Sequence, residues 1–196
     1  MKAAEWNPGS FSETIALASG QQIVVRPLRQ DDSLLLADYF VTLSCETRKW
    51  FAPHAFTADE AQRLCAEIDY SRTIRLLGVS DSVLGPKIMA YFIIDLESKA
   101  DAERYRKYGM ILCPASVFSV APSVADAYQS CGVGTLLMTK ALALGRRLGR
   151  HQVVLYGGVQ ATNLRAQRFY RKFGFRRTGS FVTTVDNYDM ILELYP

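Results

Sequence analysis

Two stretches of this chain hold residues whose types and spacing suit chemistry. The first is Gln129-x-x-Gly132-x-Gly134. Glycines let a backbone approach a ligand closely, and unpaired N–H groups at a helix start attract phosphate, so a glycine turn between strand and helix is a candidate anion cradle. Two common nucleotide patterns do not fit. A dinucleotide fingerprint needs a third glycine where Leu137 stands and an acid roughly 20 residues on, and the other phosphate loop needs Gly-Lys-Ser/Thr. Taken alone, the two glycines fit a tight strand-to-helix connection equally well. The second stretch is Asn163-x-x-Ala166-x-x-Phe169-Tyr170-x-Lys172-x-Gly174-Phe175. It reads as a helix capped by Asn163 and closed by Gly174. Its Tyr170 phenol is either a proton donor or core packing beside Phe169 and Phe173.

The elements that position these stretches follow from periodicity. Residues 14–18 and 23–28 predict a hairpin around Ser19-Gly20. Asp31 and Asp32 precede Leu35, Leu36, Tyr39, Phe40 and Leu43, the pattern of a capped amphipathic helix. Thr57 opens a capping box and a second helix toward Tyr70. Strands are expected at 74–79 and 87–96, with a turn at Asp81 and Gly85-Pro86 between them, and residues 97–109 read as a charged excursion. An extended run at 117–125 contains Pro122, which implies an edge or a bulge. A helix follows Gly134, then a strand at 152–156, the Asn163 helix, and strands at 181–185 and 190–195. The chain is therefore mixed α/β, with a strand–turn–helix unit at its centre.

With 196 residues, 49% hydrophobic and 21% charged, the composition fits one globular domain over 1–196, residues 1–13 being an N-terminal extension. The start, Met1-Lys2-Ala3-Ala4-Glu5-Trp6, lacks the apolar core of a secretory signal, and no stretch approaches the roughly 20 apolar residues of a membrane span. A cytoplasmic protein without a membrane partner is expected. Cys45, Cys65, Cys113 and Cys131 have no metal or redox-motif spacing, so free thiols and no metal are expected. The net charge of +4 is lopsided: residues 127–185 hold ten basic residues and no acidic one. Such a segment implies an anionic partner or a solvated basic face. Nucleic acid is one candidate, although aromatic interleaving is sparse and no recognised nucleic-acid motif appears; a multiply phosphorylated small molecule fits as well.

In order and together, the two motifs resemble the cofactor motifs of the GNAT superfamily of acyl-CoA-dependent N-acetyltransferases. Upstream, Gly20 through Arg26-Pro27-Leu28, followed by Asp31-Asp32, is similar to that family's first strand and helix. Ile68-Asp69-Tyr70-Ser71-Arg72 and Val124-Ala125-Asp126-Ala127-Tyr128-Gln129 resemble the subset that acetylates protein lysines. The likeness runs over residues 14–185. It implies a mostly antiparallel sheet flanked by helices, whose splayed central strands form an acyl-CoA cleft. It also implies acetyl transfer from acetyl-CoA to a primary amine, a protein lysine or a small amine, by a monomer or homodimer. Gln129, Ser130, Cys131, Gly132, Val133, Gly134 and Thr135 would grip the pyrophosphate. Val124 and Ala125 would bond the pantetheine arm through their main chain, Val124 N–H would polarise the thioester carbonyl, and Asn163 would reach the arm from the far side.

The resemblance makes Tyr170 the proton donor to the departing thiolate. It also exposes a departure. Lysine-acetylating relatives usually carry a Glu ten residues ahead of Gln129, and Ser119 stands there. Serine is no unaided base, so the resemblance leaves a water chain ordered by Ser119, an acid such as Asp95 or Glu97, or a catalytically weak acyl-CoA sensor. Trp50-Phe51-Ala52-Pro53-His54-Ala55-Phe56 reads as a hydrophobic staple entering the Thr57 cap, with His54 or Phe56 as an alternative acceptor wall. Cys131 is a candidate for masking by the cofactor.

Overall fold

Alternation of apolar and polar residues makes a strand of Gln22–Pro27 (β2), which buries Ile23 and Val25 and pairs antiparallel with Glu13–Ala16 (β1). The computed structural model describes residues 11–51, 53–80, 85–97 and 102–194. Asp81, Ala52 and Tyr195 lie outside the described residues, as does most of the expected N-terminal extension. Thr73–Ser80 (β3) and Lys87–Asp95 (β4) are buried along most of their length, because helices cover both faces there. Val117–Val124 (β5), Gln152–Leu155 (β6), Val159–Gln160 (β7), Arg176–Val182 (β8) and Asp186–Glu193 (β9) complete the sheet.

Strand order is β1-β2-β3-β4-β5-β6-β9, with β7 on the β6 side of β9 and β8 on its other side. Every pairing is antiparallel except β5 with β6. The helices are Ser33–Thr42 (α1), Cys45–Arg48 (α2), Ala58–Ala66 (α3), Ala102–Arg106 (α4), Val133–Arg147 (α5) and Leu164–Lys172 (α6). On one sheet face Leu76, Phe92, Phe118 and Val120 pack with Leu137, Met138 and Ala141 of α5 and with Tyr170 of α6. On the other, Leu77, Tyr91, Ile93 and Ala121 pack with Leu36 and Phe40 of α1 and Leu64 of α3. The mixed, mostly antiparallel sheet flanked by helices is the expected one.

α5 lies so close to β5 that a Cβ on Gly145 would fall 2.3 Å from the Phe118 ring, which is itself fully buried. Alanine is the better helix former by about 1 kcal/mol. The clash outweighs that gain, so Gly145→Ala is expected to destabilise the fold by about 1–3 kcal/mol, read as a lowered Tm.

Several local expectations change in the fold. Asp32 stands at the N-cap of α1, yet its carboxylate does not cap the helix. It takes a two-pronged bond from Arg26 at 2.5 and 2.7 Å and a third from the Arg29 N–H at 2.8 Å. Thr57 caps α3 as expected through Glu60 N–H, but the helix ends at Ala66 because Asp69 turns back onto Ser71. The excursion contains α4, anchored by buried Tyr105 against Val117, Val154 and Ile191. The last hairpin begins at Arg176 and turns at 183–185, earlier than its apolar residues suggest, because basic residues occupy the exposed start of β8.

Candidate active site

The parallel pairing of β5 and β6 covers only Val117–Val120 against Gln152–Leu155, and Tyr156 N–H donates to Val120 O at 3.1 Å. Gly157 and Gly158, with φ of 67° and 76°, then turn the chain away. A side chain at Gly158 would strike Phe181 and the Tyr188 carbonyl. From Ala121 onward β5 has a partner on one side only. Ala125 N–H donates to Met89 O at 2.9 Å on the β4 side, so alternation aims Pro122 and Val124 at the open edge. Pro122 thus sits on a half-edge where no ladder bond is lost, and its pairing with β4 runs without a bulge. Val124 N–H faces the opening. The Ala125 N–H is taken by Met89 O, and its carbonyl accepts Tyr128 N–H at 2.8 Å.

Beyond a 3-10 turn at Asp126–Tyr128, Ser130 and Gly132 take φ of 65° and 86° and fold the loop onto the start of α5. Among the described residues, the N–H groups of Ser130, Cys131, Gly132, Val133, Gly134 and Thr135 have no hydrogen-bond acceptor. They form a row of donors at a helix N-terminus, which suits phosphate. Gly134 lets this turn close on the sheet: a Cβ there would lie 3.3 Å from Val124 and 3.7 Å from Phe169.

Gln129 holds the loop rather than facing outward. Its amide donates to Thr47 at 3.1 Å and to Val124 O at 3.0 Å, while its carbonyl accepts from Arg165. Asp126 ties α2 to the same turn, accepting from Ser44 N–H, the Ser44 hydroxyl and Thr47 at 2.7–2.9 Å. Burial works against its charge, but these bonds outweigh it and hold the carboxyl below the ordinary value. Arg165 also reaches Ser130 at 3.4 Å, and Lys172 reaches Thr135 at 3.5 Å. These two cations of α6 flank the donor row.

Other members of the basic segment are engaged elsewhere. Lys140 pairs with Glu13 at 2.6 Å, Arg150 bonds the carbonyls of Pro114 and Val117, and Arg177 stacks on Tyr188. The sequence signal for Arg165 was its place two residues after the Asn163 cap inside that segment. No local signal marked Thr47 or Ser44.

Asn163 caps α6, its side-chain oxygen accepting Ala166 N–H at 3.0 Å. Tyr170 packs between Phe169 and Phe175 and is 6% exposed, and its hydroxyl has no hydrogen-bond partner among the described residues. Burial pushes its pKa up, so the phenol keeps its proton well above neutrality.

On the opposite sheet face, register sets Thr73, Asp95 and Ser119 in one row and Arg75, Ile93 and Ala121 in the next. A cavity of about 310 Å³ opens over these rows, walled by Pro53, His54, Arg63, Leu64, Thr73, Arg75, Ile93, Asp95, Glu97 and Tyr156. Ser119 is 1% exposed and its hydroxyl has no hydrogen-bond partner among the described residues. His54 Nδ1 donates to Ala55 O at 2.8 Å, which leaves Nε2 to accept from the Tyr91 hydroxyl at 3.0 Å. Burial lowers the His54 pKa and so favours this neutral ring. The ring sits among Phe40, Phe51, Phe56 and Tyr91, so the Trp50–Phe56 run builds a cavity wall as well as leading into α3. Sequence reading passed over Arg75 and Tyr91 because alternation within a buried strand marks neither.

Residues 121–175, from the open end of β5 through α6, match the model of the acetyltransferase (GNAT) family. That segment is similar to the GNAT family. The chain's fold is that of the GNAT domain of S. lividans PAT, with 22% identity, a TM-score of 0.75, and coverage of 96% of this chain and 100% of that one. It is also similar to yncA from Salmonella typhimurium, solved with its cofactor acetyl-CoA (18% identity, TM-score 0.63, 89% and 95% covered). A third likeness is to the ribosomal-protein-S5-alanine acetyltransferase of Vibrio fischeri (13% identity, TM-score 0.68, 94% and 97% covered). No protein of curated function matches the sequence. The matched segment is of the kind found in acetyl-CoA-dependent acyltransferases. Among the described residues no helix is long and apolar enough to cross a membrane, and no group of three His, Cys, Asp or Glu could hold a metal ion.

Proposed function

We propose that this protein is an N-acetyltransferase of the GNAT superfamily that moves the acetyl group of acetyl-CoA directly to a primary amine, a protein lysine or a small amine. The observation that carries this reading is the open β5 edge at Val124 beside the row of unpaired N–H groups at 130–135. Those amides, with Arg165 and Lys172, would hold the pyrophosphate, and the open edge would bond the amides of the pantetheine arm. Asn163 would reach the arm through the amide nitrogen that its cap leaves over.

In the transfer, Val124 N–H stabilises the charge that grows on the thioester oxygen as the amine attacks the carbonyl carbon. The C–N bond forms, the C–S bond breaks, the thiolate takes the proton of Tyr170, and the nitrogen, cationic after attack, releases its second proton to solvent. An alkyl ammonium has a pKa of about 10.4 and must lose a proton before attack. Ser119, buried with an unsatisfied hydroxyl, supports a water that passes that proton toward Asp95, the residue opposite it in register. Tyr170 recovers its proton from solvent after the product leaves.

The test is thiol release from acetyl-CoA against a panel of amines and lysine peptides, with CoA binding followed by calorimetry. Amine-dependent release is expected. Tight CoA binding without release from any acceptor would favour the sensor reading that Ser119 raises, and no CoA binding would overturn both. A second expectation concerns the loop. Cys45, Cys113 and Cys131 are exposed and Cys65 is buried. CoA is expected to slow alkylation of Cys131 while leaving Cys45 and Cys113 unaffected, as read by mass spectrometry of the labelled peptides. Equal labelling of Cys131 with and without CoA would remove it from the cofactor site.

A further inference from the structure

Arg75 stands on β3 over the cavity that faces Ser119, and it makes no ion pair among the described residues. Its Nε is buried without a hydrogen-bond partner. A guanidinium donor withdrawn from water and left unpaired is unfavourable, and such groups in native proteins call for an explanation. The other cation of the wall, Arg63, is already engaged by Glu60 and Glu67 at 2.6 Å. Arg75, whose guanidinium also bonds the Tyr91 hydroxyl, is therefore the wall's arginine without an ion pair among the described residues, and the planar fork of arginine matches one carboxylate in two-pronged fashion.

From these observations, and resting on the acetyltransferase reading above, we infer that the acceptor is a small amine that itself carries a carboxylate, an amino-acid-like molecule held by Arg75. The cavity of about 310 Å³ is sized for such a molecule. Asp95 in the same wall makes the site unfavourable for a doubly charged phosphate, whereas a zwitterion meets both signs; Glu97 is held by Arg72 at 2.8 Å. Arg75 and Asp95 are diagonal neighbours in the β3–β4 register, about 7–8 Å apart. The carboxylate on Arg75 therefore directs the amine toward the row of Asp95 and Ser119, which ends at the β5 strand carrying Val124. An acceptor lysine within a polypeptide brings no carboxylate of its own.

The test compares amino acids of increasing chain length with the same amines lacking the carboxylate, and with lysine peptides blocked at both ends. Carboxylated amines are expected to show kcat/KM higher by about tenfold to a hundredfold, the range of one charged hydrogen-bonded pair. Arg75→Gln is expected to erase that preference through KM for the carboxylated acceptors only, leaving plain amines and CoA affinity unmoved. Arg75→Lys, which keeps charge and loses the fork, should recover part of it. Equal kcat/KM for carboxylated and plain amines, a preference for the blocked peptides, or a preference unmoved by Arg75→Gln would each overturn the inference. Should no acceptor release thiol, the acetyltransferase reading fails separately. Calorimetric binding of a carboxylated amine by the wild type and not by Arg75→Gln would still uphold the Arg75 site, and no binding by either would overturn it.

Discussion

Replacing Tyr170 by Phe is expected to lower kcat by about a hundredfold to ten-thousandfold, the usual worth of a positioned proton donor, with CoA affinity unchanged. The substitution removes one oxygen that has no hydrogen-bond partner among the described residues, and it keeps the ring between Phe169 and Phe175. Packing and stability should therefore survive, which separates a catalytic loss from a structural one. The raised pKa adds a second readout. A phenol pushed above its ordinary value of 10.0 keeps its proton through the alkaline range, so it works as an acid and not as a base. The pH–rate profile of the wild type should show no loss from Tyr170 ionisation below about pH 10. An unchanged kcat in Tyr170→Phe would remove the residue from the mechanism.

The largest expected loss of stability lies at the far end of the sheet. Asp189 of β9 is fully buried and accepts from Arg104 of α4 at 2.6 and 2.8 Å and from the Tyr108 hydroxyl at 2.9 Å. Arg104 also lies over the Phe181 ring at 3.8 Å. Removing the guanidinium leaves a carboxylate charge in the interior. Arg104→Ala is expected to cost about 3–5 kcal/mol, seen as a lower urea midpoint at an unchanged slope. The double variant Arg104→Met, Asp189→Asn should lose less than the single one, because it leaves no charge buried. A single variant as stable as the wild type would show that water, and not Arg104, satisfies Asp189.

Much of the site's cofactor half could be read from residue order. The proposed phosphate turn is a local matter: Gly132 and Gly134 between a strand and a helix, and Asn163 with Gly174 at the ends of α6, act within a few residues of themselves. The same locality explains why Thr57 could be recognised as a cap. Asp32 shows the limit. Its type and position fit a cap, but Arg26 competes for the carboxylate with two charged bonds, and a charged pair outweighs a single cap bond.

What the sequence by itself determined is the glycine turn between strand and helix, the helix carrying Tyr170, the mixed α/β order and the presence of Ser119 ten residues ahead of Gln129. Each rests on spacing within one element or on one strand-to-helix junction, where backbone geometry alone relates the residues. Tertiary structure decided the rest. Alternation along β5 gave the open edge to Val124 and withdrew Ala125 to Met89. Three strands distant in sequence set Thr73, Asp95 and Ser119 in one row, with Arg75 in the next, and Arg104 met Asp189 across 85 residues. Such neighbours are chosen by strand register, and register is set by the burial of whole faces, which no local stretch contains.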